Sequence, residues 1–259
     1  MSGPASPAGA SRAWRAAVVL ARLAVASVGR LRVSGAVPPG LRSGPLLLAA
    51  NHVGPADPAV LVAAAARVGL APRIMATAGV FRAPVLGWLM RRAGHVRVER
   101  RSAAVRESLA AAGAVLAAGH VVLVYPEGRI GLDPGLWPER GKTGTARLAL
   151  RTGVPVVPVA QWGAHELLPY GVPRRLLRTL GRAVWRRPVL RVHFGGPVDL
   201  SGLSEGDAVE ATERIVAAIA GDLVPLRAAE PVRPAWVDRT RPVSAARSRR
   251  AGDGGVSGR

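Results

Sequence analysis

The chain has 259 residues, 49% of them apolar, enough for one sizeable core with appendages. It contains no cysteine, which excludes disulfides, thiolate metal sites and a cysteine nucleophile. Thirty-six Lys and Arg against 16 Asp and Glu give a net charge of +20, which attracts polyanions such as nucleic acid, anionic lipid or phosphorylated substrates without choosing among them.

Residues 13–29 are apolar, but Arg22 interrupts the run, leaving it too short for a spanning helix or a signal-peptide core. On a helical wheel Arg12, Arg15, Arg22 and Arg30 share an arc of roughly 80°, opposite Ala, Val and Leu. That pattern predicts a helix lying in a membrane interface, with packing on the protein's own core as the alternative. Residues 1–35 are therefore expected to form an N-terminal amphipathic membrane-associating segment.

Next come short strands at 46–50, 73–77, 95–98, 120–125, 156–161 and 189–194, and helices at 57–68, 84–92, 102–118, 143–151 and 206–222. Asp57 suits the cap of its helix and Pro58 its first turn. A Gly/Pro-rich loop spans 126–141. The alternation predicts an α/β domain over 36–226, with a mostly parallel sheet flanked by helices. Residues 227–259, rich in Arg, Pro, Ser and Gly, are expected to be a basic, disordered tail.

The chemistry concentrates in Asn51-His52-Val53-Gly54-Pro55-Ala56-Asp57-Pro58. A histidine leaves a buried strand, and five residues later an aspartate opens a helix, at the strand end where α/β folds place their sites. An Asp57 carboxylate bonded to one imidazole nitrogen of His52 leaves the other to act as a general base on a hydroxyl. Alone the motif is equally compatible with an ordinary Asp-Pro helix start and a structural histidine. Three further segments follow: Gly94 to Arg100 (GHVRVER), Pro126-Glu127-Gly128, and Val154-Pro155-Val156-Val157-Pro158. Gly141-Lys142-Thr143 contains the single lysine of the chain, but Gly135 sits one residue too early for a P-loop. His95, His120, His165 and His193 show no metal spacing.

In order and spacing these blocks resemble the glycerolipid acyltransferase family, the 1-acylglycerol-3-phosphate acyltransferases, with N-H-x4-D, G-x5-R, P-E-G and V-P-V-x-P blocks. The likeness covers about residues 45–165, and residues 131–163 look especially close to bacterial members. It implies that residues 36–226 are an acyltransferase domain moving a fatty acyl group from acyl-CoA or acyl-carrier protein to the free hydroxyl of lysophosphatidic acid. The product would be phosphatidic acid for phospholipid biosynthesis. His52 would be the base and Asp57 its orienting partner. Arg100 and the Glu127-Gly128 turn would hold the acceptor's glycerol phosphate. With neither cysteine nor a G-x-S-x-G elbow, the alcohol would attack the thioester directly, without metal or cofactor.

Two departures bear on the acceptor. The chain has Thr77 where the family usually has a lysine, and Arg129 where the third block usually continues with threonine. Arg129 is expected to take over phosphate binding if both side chains reach one pocket, and Lys142 to meet a phosphate or the donor's pantetheine arm. Another lyso-lipid or a glycolipid precursor is the alternative acceptor. A basic, non-enzymatic polyanion-binding protein is the distant alternative, and nucleic acid is not expected as a partner, because two Phe and two Tyr offer no stacking run. The expected location is the cytoplasmic face of the plasma membrane, peripheral or monotopic, on an anionic surface.

Overall fold

The computed structural model describes residues 12–99, 102–171 and 176–249. Strands β1 (Arg30–Gly35), β2 (Leu46–Ala50), β3 (Arg73–Thr77), β4 (Val96–Val98), β5 (Val121–Val124), β6 (Val156–Trp162) and β7 (Val189–Phe194) form one sheet in the order β1-β7-β6-β2-β5-β3-β4. Neighbours run parallel except β6 and β7, so β7 and β1 are reversed relative to the rest. Helices α1 (Arg12–Val28), α2 (Asp57–Arg67), α3 (Ala78–Arg82), α4 (Pro84–Arg92), α5 (Ser102–Ala117), α6 (Gly144–Thr152), α7 (Leu176–Arg186) and α8 (Ala208–Leu226) complete the chain. The expected α/β architecture, a mostly parallel sheet flanked by helices, is what forms.

Central β2 shows why its sequence is continuously apolar. Side chains alternate between faces, and both faces are covered. Leu46, Leu48 and Ala50 join one core with Val60 and Leu61 of α2. Leu47 and Ala49 join a second core with Leu116 of α5, Leu148 of α6 and Ile215 of α8.

The N-terminal boundary at residue 35 is corrected by the structure. Arg30 belongs to β1, not to the helix, and β1 pairs with β7 from Arg30↔Val189 to Gly35↔Phe194. Its sequence alternates arginine with Leu31 and Val33, the pattern of an edge strand, and on a wheel Arg30 happens to share the arc of the helical arginines. Gly29 lies between the two elements, where a Cβ would come 2.7 Å from Leu190 Cδ1. Helix α1 rests on the protein's own core. Trp14 and Val25 are buried, Ala17, Val18, Ala21 and Val28 pack beside them, and the Trp14 indole donates to Ala71 O at 3.2 Å. Arg15, Arg22, Val19, Leu20 and Leu23 stay exposed on the other side. The side chain of Arg12 and residues 1–11 lie outside the described residues.

The expectation of a disordered tail is also overturned, for residues 227–249. Arg227 is 1% exposed, its guanidinium 4.2 Å from the Trp137 ring centroid and 4.0 Å from that of Trp162, and it donates to Gly135 O at 2.6 Å. Arg241 is buried as well. Arg227 stacked on two indoles supplies contact area that a count of apolar side chains leaves out. Residues 250–259 lie outside the described part.

Trp14→Ala should lower the unfolding free energy by about 3 kcal/mol without lipid present, measured by urea denaturation. An unchanged midpoint would mean that α1 is no part of the core.

Candidate active site

The site forms where β2 and β5 end side by side. Their parallel register pairs Leu46 with Val121 and Ala49 with Val124. Continued three residues further, it sets His52 opposite Glu127, and the His52 N–H donates to Glu127 Oε1 at 2.8 Å. On the other flank of β2, Asn51 and Gln161 of β6 are locked together. Asn51 Nδ2 donates to Gln161 O (3.0 Å), while Gln161 N and Nε2 donate to Asn51 Oδ1 and O (both 2.8 Å). The residue before the histidine is thereby fixed to one neighbouring strand and the histidine itself to the turn after the other.

Asp57 is the first residue of α2, behind Ala56 as the cap, and not the cap itself as the sequence suggested. Its side chain turns back on the preceding loop. Asp57 Oδ2 accepts the His52 Nδ1–H at 2.7 Å, the Val53 N–H at 2.6 Å and the Gly54 N–H at 2.9 Å. The carboxylate is fully buried at the positive end of a helix, and His52 is 16% exposed. This arrangement selects the tautomer whose Nε2 lone pair is free, and no protein group among the described residues bonds to Nε2. The imidazole lies on the ring of Tyr125, with centroids 4.0 Å apart and planes at 15°. Burial raises the Tyr125 hydroxyl well above its ordinary pKa, with Asp57 adding to the rise, so the ring is a neutral floor.

His52 opens on a cavity of about 640 Å³. One wall is apolar, with Ile74, Met75, Val80, Val98, Val105 and Leu109. The half-buried cation Arg129 and the exposed cations Lys142 and Arg147 also line it, together with Thr77 and, as the single acid among the described residues, Glu99. An apolar wall suits a hydrocarbon chain, and clustered cations suit a phosphate.

Of the residues expected here, His52, Gly128, Arg129 and Lys142 line the cavity, with Asp57 behind His52. Gly128 has φ +69°, and a Cβ there would lie 3.2 Å from Lys142 Cδ. Arg129 is held in place by a fork to Glu139, at 3.0 Å from Nη2 to both carboxylate oxygens. Glu127, expected to touch the acceptor, points into the protein instead. Its two oxygens accept the N–H groups of His52 and, at 3.2 Å, Glu139. Arg100 lies outside the described residues. Sequence reasoning did not single out Asn51, Tyr125, Glu139 or Arg147, which contact the site or line its cavity. Asn51 and Tyr125 adjoin recognised blocks, whereas Glu139 and Arg147 reach the site only through folding.

A model of the family described as acyltransferase matches residues 30–162, about half the chain, and the chain belongs to that family. Over 134 residues it is 29% identical to the chloroplastic 1-acyl-sn-glycerol-3-phosphate acyltransferase BAT2 of Brassica napus, a match covering 51% of this chain and 37% of the relative. Over 163 residues it is 33% identical to an uncharacterised protein of Mycobacterium tuberculosis, covering 58% of this chain and 42% of the relative. The chain thus spans less than half the length of these curated relatives. The crystal structure of the 1-acyl-sn-glycerophosphate acyltransferase PlsC from Thermotoga maritima superposes with a TM-score of 0.62 at 21% identity. That superposition covers 83% of this chain and 80% of PlsC, and it shows a shared fold.

The Glu127 carboxyl is pushed up to about 8, chiefly by burial; its two backbone donors pull it back, and nearby Glu139 and Asp57 add to the rise. The unfolded chain loses this proton near 4.5, so stability declines as pH rises from there through about 8. His95 and His165, depressed chiefly by burial to about 4 and about 3, act in the opposite sense, but only below their unfolded value of 6.5. Urea midpoints should therefore fall between about pH 6.5 and pH 8, and fall less in Glu127→Gln. A flat wild-type profile in that window would contradict a buried, uncharged Glu127.

Proposed function

We propose that this chain transfers a fatty acyl group from acyl-CoA or acyl-carrier protein to the free hydroxyl of lysophosphatidic acid, forming phosphatidic acid. The observation that carries the reading is the 2.7 Å bond between His52 and buried Asp57, with the imidazole opening onto a cavity that is apolar on one wall and lined also by Arg129, Lys142 and Arg147. Nε2 of His52 takes the hydroxyl proton as the acceptor oxygen attacks the thioester carbonyl. The buried Asp57 carboxylate stabilises the imidazolium formed. Collapse of the tetrahedral oxyanion expels the thiolate, which recovers the proton from His52. The acyl chain lies along the apolar wall through Ile74, Val98 and Leu109, and the acceptor phosphate meets Arg129, Lys142 and Arg147.

The reaction takes place at an anionic bilayer surface, on the cytoplasmic face of the plasma membrane. In support, α1 exposes Val19, Leu20 and Leu23 beside Arg15 and Arg22, and no helix among the described residues is long and apolar enough to cross a membrane. A second reading keeps the chemistry and changes the acceptor to another lyso-lipid or a glycolipid precursor. Thr77 in the cavity and the engagement of Arg129 by Glu139 favour it.

Purified protein given one labelled acyl donor and a panel of lyso-acceptors, with products identified by mass spectrometry, separates the two readings. His52→Ala should lower turnover by about 10²- to 10⁴-fold while membrane binding persists; undiminished turnover would remove the base assignment. Arg129→Thr should raise KM for a phosphorylated acceptor by about tenfold or more, and an unchanged KM would take Arg129 out of phosphate recognition.

A further inference from the structure

The segment around residues 238–248 lies outside the family-matched stretch 30–162, yet it folds back on the catalytic turns. Arg241 is 7% exposed. Its Nη1 donates to Gly131 O at 2.5 Å and its Nη2 to Val53 O. Both acceptors belong to the base's immediate support. Val53 follows His52 and gives its own N–H to Asp57, while Gly131 N donates to His52 O at 2.8 Å. One guanidinium therefore ties the turn that holds His52 and Asp57 to the loop after the Pro-Glu-Gly turn.

Arg241 is itself braced. Its backbone N–H donates to Asp238 O at 3.2 Å, and the Asp238 carboxylate accepts from Tyr170 N at 2.5 Å and from Thr240 Oγ1 at 2.7 Å. Its ring neighbour is Tyr170, 5.7 Å from the guanidinium carbon to the centroid. A few residues on, Arg247 Nη2 donates to Glu127 O at 3.1 Å, and Ser244 N donates to Leu132 O at 2.9 Å. Burial lowers the pKa of Arg241, and the charges of Asp238 and Asp57 oppose that fall, so its cation faces the carboxylate that orients His52. A planar fork donates in two fixed directions at once; a lysine ammonium on its single stem cannot reach two carbonyls from separate loops in the same way.

We infer that Arg241 is a positioning residue for the acyl transfer proposed above, holding the His52–Asp57 turn from a strap beyond the family-matched region. The inference rests on the proposed reading for its effect on rate, and on geometry alone for its effect on the turn.

Two measurements on full-length Arg241→Ala and Arg241→Lys test it. In steady-state acyl transfer, kcat should fall by about 10- to 100-fold with KM for donor and acceptor nearly unchanged. Lysine should recover part of the loss, and low millimolar guanidinium chloride should partly restore Arg241→Ala. In hydrogen exchange, peptides covering residues 52–57 should lose protection while β2 and β6 keep theirs. Wild-type kcat in a folded Arg241→Ala, or equal loss of protection throughout the sheet, would overturn the assignment. If Arg241→Ala fails to fold, Arg241→Lys and Arg241→Gln are judged by the same criteria. A wild-type protein that transfers no acyl group defeats the functional reading, and exchange at 52–57 then decides by itself whether Arg241 holds the turn.

Discussion

A single carboxylate oxygen organises this site. Asp57 Oδ2 accepts three hydrogen bonds, one from the His52 ring and two from the backbone of Val53 and Gly54. The backbone bonds curl the loop so tightly that the side chains at positions 52 and 57 meet. The ring bond then sets which nitrogen carries the proton. A glutamate would place its oxygens one methylene further out, where the same three donors no longer converge. The loop conformation and the chemistry are therefore one constraint.

Behind that oxygen lies a cluster of buried carboxyl groups met by arginines. Asp57 and Glu139 are buried, as is the uncharged Glu127, and arginines close on them or on their backbones: Arg129 from the same loop and Arg247 from far along the chain on Glu139, Arg241 on the turns between. Isolated buried ions are strongly destabilising, and pairing with good hydrogen-bond geometry makes them tolerable. Removing one member leaves its partner without compensation, so these groups behave as a set. The large excess of arginine is thus partly internal. Some of it answers buried carboxylates and carbonyls, and only the remainder faces solvent or a surface.

The sheet and the dyad were legible because their signals are local. Apolar runs at 46–50 and 121–124 have the length and branching of buried strands, and the five-residue spacing from His52 to Asp57 lies within one turn. The reversed edge was not legible. Arg30 of β1 fits the arc of the helical arginines as well as an edge strand, and only pairing with β7 distinguishes the two. Helix α7 was not among the expected helices, although its arginines recur every four residues between apolar ones. Glu127 illustrates a different limit: its block identifies the family, but whether its carboxylate faces the cavity or the backbone depends on a neighbouring strand's register. The folding of residues 227–249 was hidden because stacking of Arg227 between Trp137 and Trp162 involves partners 90 and 65 positions away.

The ordering of these contacts along the polypeptide has a temporal side. The dyad spans five positions, the brace from Glu127 spans 75, and the contact from Arg241 to Val53 spans 188. Long separations close late, since more chain must be confined before the contact forms. During synthesis from the N-terminus, all seven strands exist once Phe194 has emerged, while the arginine that joins the two turns is still unmade. A nascent chain at that stage can own the seven-stranded sheet while the turn around His52 still lacks its contact from Arg241.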